Sequence, residues 1–194
     1  MKEGRSSELA RGLAFRPRGR LTSGMEIRDA RPGGGEEAWR VVLRPLMIAD
    51  ADEAAEVIRT AFAAQSRPTN PPSSALRETG EAIAGKIAEG GGFGVFEAGA
   101  LVAAALWRVD GDALHVARVS VALGARGRGV ARSLIAACEN EARKRRLKRM
   151  TLKTRLELPE NERLFERCGF TRREIEAHPG FDTPTTAVME RVLA

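Results

Sequence analysis

Apolar residues recur along this chain in two rhythms, and the switches between them lay out its elements. Ala54, Val57, Ile58, Ala61 and Phe62 fall at i, i+3, i+4, i+7 and i+8, one face of a helix that Asp50 or Asp52 can cap. Leu76, Ile83 and Ile87 predict a second helix, begun by Ser73 or Ser74 and closed by Gly90-Gly91-Gly92. Val130, Leu134, Ile135, Cys138 and Ala142 mark a long helix from about Gly129 to Arg146. Pro159 suits the first turn of a short helix through Leu164 and Phe165 that Gly169 terminates. Between them lie strand signals: 39–43, ended by Arg44-Pro45; a hairpin of 93–96 with 101–109; then 113–123, 149–155, 171–177 and 185–192. The order β-α-α-β-β-β-α-β-α-β-β combines hairpins with one βαβ crossover. It predicts an α/β (α+β) fold, a mixed sheet with helices on both faces.

Residues 1–38 show no such rhythm and end in Gly33-Gly34-Gly35, so they are expected to form a disordered basic tail before one domain over 39–194. Met25 is an alternative start. The formal charge of +6 changes little, because +4 of it lies in residues 1–24. That distribution argues against a nucleic-acid-binding surface. Arg143-Lys144-Arg145-Arg146 reads as a helix C-terminus, where cations complement the dipole. No stretch is apolar enough to span a membrane and no secretory leader is visible. Cys138 and Cys168 lie on separate expected helices, without the spacing of a disulfide framework. A cytoplasmic location follows as the expectation.

Candidate chemistry concentrates where the 113–123 strand gives way to the long helix, through Ala125-Arg126-Gly127-Arg128-Gly129-Val130-Ala131. The first N–H groups of a helix lack intrahelical partners and sit at the positive end of its dipole. Gly127 and Gly129 let a pyrophosphate approach the main chain, and Arg126 and Arg128 add charge. No Gly-Lys-Ser/Thr follows, which excludes a P-loop. Arg132 stands where a dinucleotide fingerprint needs its third glycine, which excludes that motif too. What remains is Arg-x-x-Gly-x-Ala over 126–131. It resembles the pyrophosphate-binding motif of the GNAT superfamily, the acetyl-coenzyme A-dependent N-acetyltransferases. Asn161-Glu-Arg-Leu164-Phe165-Glu-Arg-Cys168-Gly169-Phe170 is similar to that superfamily's late Asn…Tyr-x-x-x-Gly-Phe segment. Leu158-Pro-x-Asn and His178-Pro-Gly-Phe-Asp are similar to uncharacterised bacterial members.

The resemblance covers about 39–194. It implies acetyl-coenzyme A as co-substrate and an unidentified primary amine, small molecule or peptide, as acceptor, with no metal. It places Val119, Ser120 and Val121 beside the pantetheine arm, Arg126, Gly127, Arg128, Gly129, Val130 and Ala131 around the pyrophosphate, and Asn161 and Phe165 against the pantetheine or acceptor. Pantetheine amides can imitate a strand where two strands splay apart. Phe165 replaces the tyrosine that in many relatives is proposed to protonate the thiolate, and the chain has no tyrosine. Coenzyme A thiolate is a tolerable leaving group without it, since a thiol's pKa is about 8.5. Ribosomal-protein acetyltransferases of this fold use a glutamate where Lys153 stands here, which disfavours that subfamily. His178 is the first candidate for the general base and Glu157 the second, each weighed against a plain surface role. His115 reads as an ordinary strand residue, Cys168 as packing, and Trp107 as core or pocket wall. Ser74, Arg77, Glu78 and Thr79 border the expected acceptor site. A non-catalytic acyl-coenzyme A sensor is the alternative function. A homodimer is left open.

Overall fold

The computed structural model describes residues 25–26 and 41–193. The elements run β1 (Met25–Glu26), β2 (Val41–Pro45), α1 (Ala51–Ala63), α2 (Gly80–Glu89), β3 (Gly91–Glu97), β4 (Ala100–Asp110), β5 (Ala113–Val121), α3 (Val130–Lys144), β6 (Arg149–Arg155), α4 (Pro159–Glu166), β7 (Thr171–Glu176) and β8 (Thr186–Val192). They form a mixed sheet in the order β1-β2-β3-β4-β5-β6-β8-β7. Of its neighbouring pairs only β5 and β6 are parallel, joined by the α3 crossover.

Strand alternation puts helices on both faces. Ala103, Ala105 and Trp107 of β4 pack with Leu134, Ile135 and Cys138 of α3, and Met150 and Leu152 of β6 join them. Ala104 and Leu106, pointing the other way, pack with Ala54 and Ile58 of α1 and Ile83 of α2. Each fully buried Leu or Ile contributes about 1.5–3 kcal/mol. Of the β6 residues that alternate with Met150 and Leu152, all but Thr151 carry charge. Lys153 pairs with Glu176, and Arg149 reaches Glu190 at 3.0 Å.

The expected single helix over Leu76 and Ile87 is two elements. Ser73 accepts the Ala75 N–H and starts only a 3-10 turn, Ser74–Arg77. Glu78 is extended (φ −62°, ψ 136°), and Thr79 then caps α2 by accepting the Ala82 N–H at 3.2 Å. The break arises because Glu78 turns inward to two cations rather than continuing a helix. Of the strand expected over 39–43, residues 39 and 40 lie outside the described residues; Arg44-Pro45, expected to end it, lies inside β2, paired with Gly94 and Phe93. At Met25–Glu26 the expected tail meets a two-residue strand paired with Leu43 and Val42. The rest of that segment lies outside the described residues.

Candidate active site

The parallel pair at the centre of the sheet is short. Ala113–Val116 of β5 pair with Arg149–Leu152 of β6, and there the contact stops. Beyond it Ala117, Ser120 and Val121 stay paired to β4, while Lys153–Arg155 stay paired to β8. The two strands therefore part into a wedge whose inner edges have no strand partner among the described residues. A bulge sits at its apex: Ala105 lies opposite both Arg118 and Val119, and Arg118 adopts φ +54°. The Ala122 N–H donates to the Val102 carbonyl at 2.9 Å, so alternation turns the Val121 N–H the other way, into the wedge. Val119 and Val121 also pack on the α3-side core, and Ser120 is buried with its hydroxyl on the Arg118 carbonyl.

From Val121 the chain passes a 3-10 turn (Leu123–Ala125) and reaches α3 through Gly127 (φ +75°) and Gly129 (φ +79°). Gly129 is the N-cap and supplies no side-chain cap, and the first helical bond is Ser133 N–H to Gly129 O at 3.1 Å. The N–H groups of Val130, Ala131 and Arg132 are therefore the unpaired donors of this helix end. A Cβ at Gly127 or Gly129 would meet nothing within 4 Å, so open space faces this turn. Donors, dipole and space together fit an anion such as a pyrophosphate.

The arginines of the turn are engaged elsewhere. Arg126 donates to the carbonyls of Val121 (3.2 Å), Ala64 (3.1 Å) and Ala61 (3.0 Å), capping the C-terminus of α1, whose last turn has no cation of its own. Arg128 forms a two-pronged bond with Glu97 at 2.7 and 3.1 Å. Phe165 is 7% exposed and meets Phe170 edge to face at 6.2 Å, a core contact. Asn161 lies half-buried in the first turn of α4.

A charged rim borders the wedge at the apex and along β6. At the apex Glu78, 4% exposed, accepts from Arg118 Nε at 2.7 Å and pairs with Lys86, and Arg118 Nη2 also reaches the Ser74 hydroxyl at 2.9 Å. Burial raises the Glu78 pKa, but Lys86 and Arg118 more than reverse this and keep it ionised. Beyond the end of β6, Arg155 holds Glu157 at 3.0 and 3.2 Å, and the Asn70 N–H donates to the same carboxylate at 3.1 Å. The Arg155 hydrogen bond, reinforced by the backbone, pulls Glu157 down to about 2. His178 lies in the β7–β8 loop with Nε2 3.2 Å from Arg155 Nη1 and Nδ1 against the Thr185 hydroxyl. Desolvation and then the Arg155 charge lower its pKa below 6.5. Arg155 also ties down the α1–α2 loop through the Asn70 carbonyl, and Glu160 of α4 does so through Ser66.

On the α2 side, a cavity of about 270 Å³ is bounded by Lys86, Glu89, Arg108, His115, Ala117 and Arg118. It adjoins the apex, because Ala117 and Arg118 are the first β5 residues past the β6 pairing. His115 Nδ1 lies 3.1 Å from the Thr151 hydroxyl, and burial, then Arg108 and Lys153, push its pKa down to about 4. Cys138 is buried and raised to about 12 by desolvation, an inert packing group. Among the described residues no three His, Cys, Asp or Glu side chains gather as a metal site, and no helix is long and apolar enough to cross a membrane.

The sequence reading missed Glu78 and Arg118 as a pair, and Arg155 altogether. One signal was present: Thr79 followed by Glu81 marks a helix start, which would have freed Glu78 from helix α2.

Residues 56–170 match the sequence profile of the acetyltransferase (GNAT) family. No curated protein sequence matches significantly. Among solved structures, the ribosomal-protein-S18-alanine N-acetyltransferase of Escherichia coli is similar over 78% of this chain and 93% of its own, with 20% identity and a TM-score of 0.64. The PaiA N-acetyltransferase of Thermoplasma acidophilum, in complex with coenzyme A, is 16% identical over 79% of this chain and 99% of its own, with a TM-score of 0.66. A spermidine N-acetyltransferase chimera from Vibrio cholerae and the human enzyme is 17% identical over 78% and 95%, with a TM-score of 0.59. These likenesses carry the fold.

Proposed function

The chain belongs to the acetyltransferase (GNAT) family, and from that premise we propose that it moves an acetyl group from acetyl-coenzyme A directly to a primary amine. The observation that carries this reading is the continuity of the β5–β6 wedge with the uncapped α3 turn. A strand-like arm with a diphosphate at one end fits that shape, and the PaiA protein was solved with coenzyme A. Acetyl-coenzyme A supplies an activated thioester carbonyl.

In this reading the amides of Gly127, Gly129, Val130 and Ala131 hold the pyrophosphate, with Arg126 fixing the turn on α1 and Arg128 tying it to the end of β3 through Glu97. The edge of Val119, Ser120 and Val121 orients the arm, and the Val121 N–H stabilises charge developing on the carbonyl oxygen. Asn161 borders the arm from the start of α4, and Phe165 packs beneath it. The amine nitrogen bonds to the acetyl carbon, the C–S bond breaks, and the thiolate departs with its electron pair. His178, neutral at pH 7, takes the amine's proton once the acceptor displaces the Arg155 contact. Glu157, held near 2, is too weak a base for that step and serves to fix Arg155. The 270 Å³ cavity beside Arg118 is where the acceptor enters.

One observation favours a second reading, a non-catalytic acyl-coenzyme A sensor: Phe165 is core, and the chain holds no tyrosine to act as acid. Thiol release from acetyl-coenzyme A, followed with a disulfide reagent across a panel of amines, separates the two. Turnover on any amine supports the enzyme. Tight binding with none supports the sensor. In the active enzyme, kcat/KM should stay level down to a pH below 6.5 and then fall. His178→Ala should abolish that acid limb, and an unchanged profile removes His178 as the base.

A further inference from the structure

The cavity of about 270 Å³ on the α2 side is bounded by more positive than negative side chains: Lys86, Arg108 and Arg118 against Glu89. Resting on the acetyl-transfer reading above, we propose that the acceptor is a small amino acid, an amine that also carries one carboxylate. Lys86 and Arg118 receive that carboxylate, and the amine faces the wedge.

Lys86 and Arg118 share a single carboxylate, Glu78, so the three side chains leave one positive charge over. Burial keeps water and salt from screening it, since the Glu78 side chain is 4% exposed and that of Arg118 23%. Donors remain as well. Arg118 spends Nε on Glu78 and Nη2 on the Ser74 hydroxyl, which leaves Nη1 for a ligand. Lys86 gives Glu78 one of its three N–H bonds. The other charges of the lining oppose one another or lie in water. Arg108 meets Asp110 at 3.5 Å with both side chains more than half exposed, and Glu89 is exposed too. His115 adds no charge at neutral pH, because burial, then Arg108 and Lys153, disfavour its protonated form. One surplus cation with free donors matches a monoanion such as a carboxylate. The second ammonium of a diamine would meet repulsion in the same place.

The backbone spends strain on placing this guanidinium. Arg118 holds φ +54°, a conformation that side chains with a Cβ rarely adopt, inside the bulge opposite Ala105. A bulge re-aims the side chain it carries, here onto Glu78 and Ser74 at the cavity. Arg118 also immediately precedes the Val119–Val121 edge, so a carboxylate on it leaves the rest of a small molecule facing the wedge. Volume limits that molecule. Pockets for drug-sized ligands run to about 300–1,000 Å³, so 270 Å³ suits an acceptor of a few carbons.

The test pairs glycine, β-alanine, 4-aminobutyrate and 5-aminopentanoate each with the amine it becomes without its carboxylate, from methylamine to butylamine. In thiol release by the full chain, kcat/KM should favour the acid in at least one pair by roughly tenfold to a hundredfold. Lys86→Gln should cut that preference to within about threefold, and Lys86→Arg should keep most of it. The preference is a ratio within one protein, so any loss of folded protein cancels. His115 gives a second readout, because it and His178 are the two histidines of the chain and their imidazole protons can be followed separately by NMR. A seated acid should raise the His115 pKa from about 4 to above about 5, and the matching amine should leave it in place. Equal turnover within every pair overturns the carboxylate seat and leaves acetyl transfer standing. Turnover of no amine overturns acetyl transfer, and His115 then decides the seat: a raised pKa with an acid supports it, and an unmoved one overturns it.

Discussion

The turn at 126–132 and the charged rim around Arg118 and Arg155 border the same wedge and are built in opposite ways. The turn is one unbroken stretch, and the groups proposed to bind there are main-chain amides that only need Gly127 and Gly129 at positive φ. The rim draws Glu78, Arg118, Arg155, Glu157 and His178 from five segments and holds them by interlocked ion pairs and hydrogen bonds. A backbone device tolerates most side-chain changes and fails when its conformation fails. A side-chain network fails when one member is removed and leaves buried charge behind. Mutation should therefore read as lost ligand affinity at the turn, and as lost stability or altered pH dependence at the rim.

The largest effect is expected at Glu78. Replacing it with alanine leaves Arg118 without its carboxylate next to α2, at a cost of about 3 kcal/mol in denaturant unfolding. Loss under 1 kcal/mol would mean that the rim relaxes as freely as a surface, and the contrast with the turn would dissolve. Gly129→Glu is next. A side chain at φ +79° costs about 1–2 kcal/mol, and its carboxylate opposes the diphosphate, so acetyl-coenzyme A should bind on the order of 100-fold more weakly. Wild-type affinity in a folded Gly129→Glu protein would remove the diphosphate from this turn.

His115 sharpens the comparison through pH. Its folded pKa of about 4 lies below the unfolded value near 6.5. Stability is thus full above pH 6.5 and is lost as pH falls toward 4, because only the unfolded chain takes up the proton. Allowing for its partial exposure, the loss is on the order of 2 kcal/mol. His115→Asn should flatten the unfolding free energy between pH 7 and 4.5 relative to wild type, and parallel curves would exclude it as the titrating group. The smallest effect tests which region Arg126 serves. Arg126→Ala gives up three bonds to carbonyls, about 1–2 kcal/mol of stability, with cofactor affinity changed less than threefold. A tenfold loss of affinity at unchanged stability would return Arg126 to the phosphate.

Much of the fold was legible because its signals are local. Arg149–Arg155 and the short helix from Pro159 stand where periodicity and proline placed them, and the turn from Arg126 to Ala131 was found from its glycines and the helix after it. Where a local signal was overridden, a distant partner did it. Ser73 was a sound helix start until Glu78 was drawn inward by Arg118, forty residues later in the chain.

From the chain alone came the order of elements, the two-faced sheet and the position of the amide turn, since period, capping and glycine conformations act within a few residues. Tertiary structure alone decided which charges are spent on one another and which are left over. Arg126 goes to the end of α1, Arg128 to Glu97 and Arg155 to Glu157. That outcome depends on which side chains the sheet brings within a few ångströms, because the strength of an ion pair is set by distance and burial and not by spacing along the sequence.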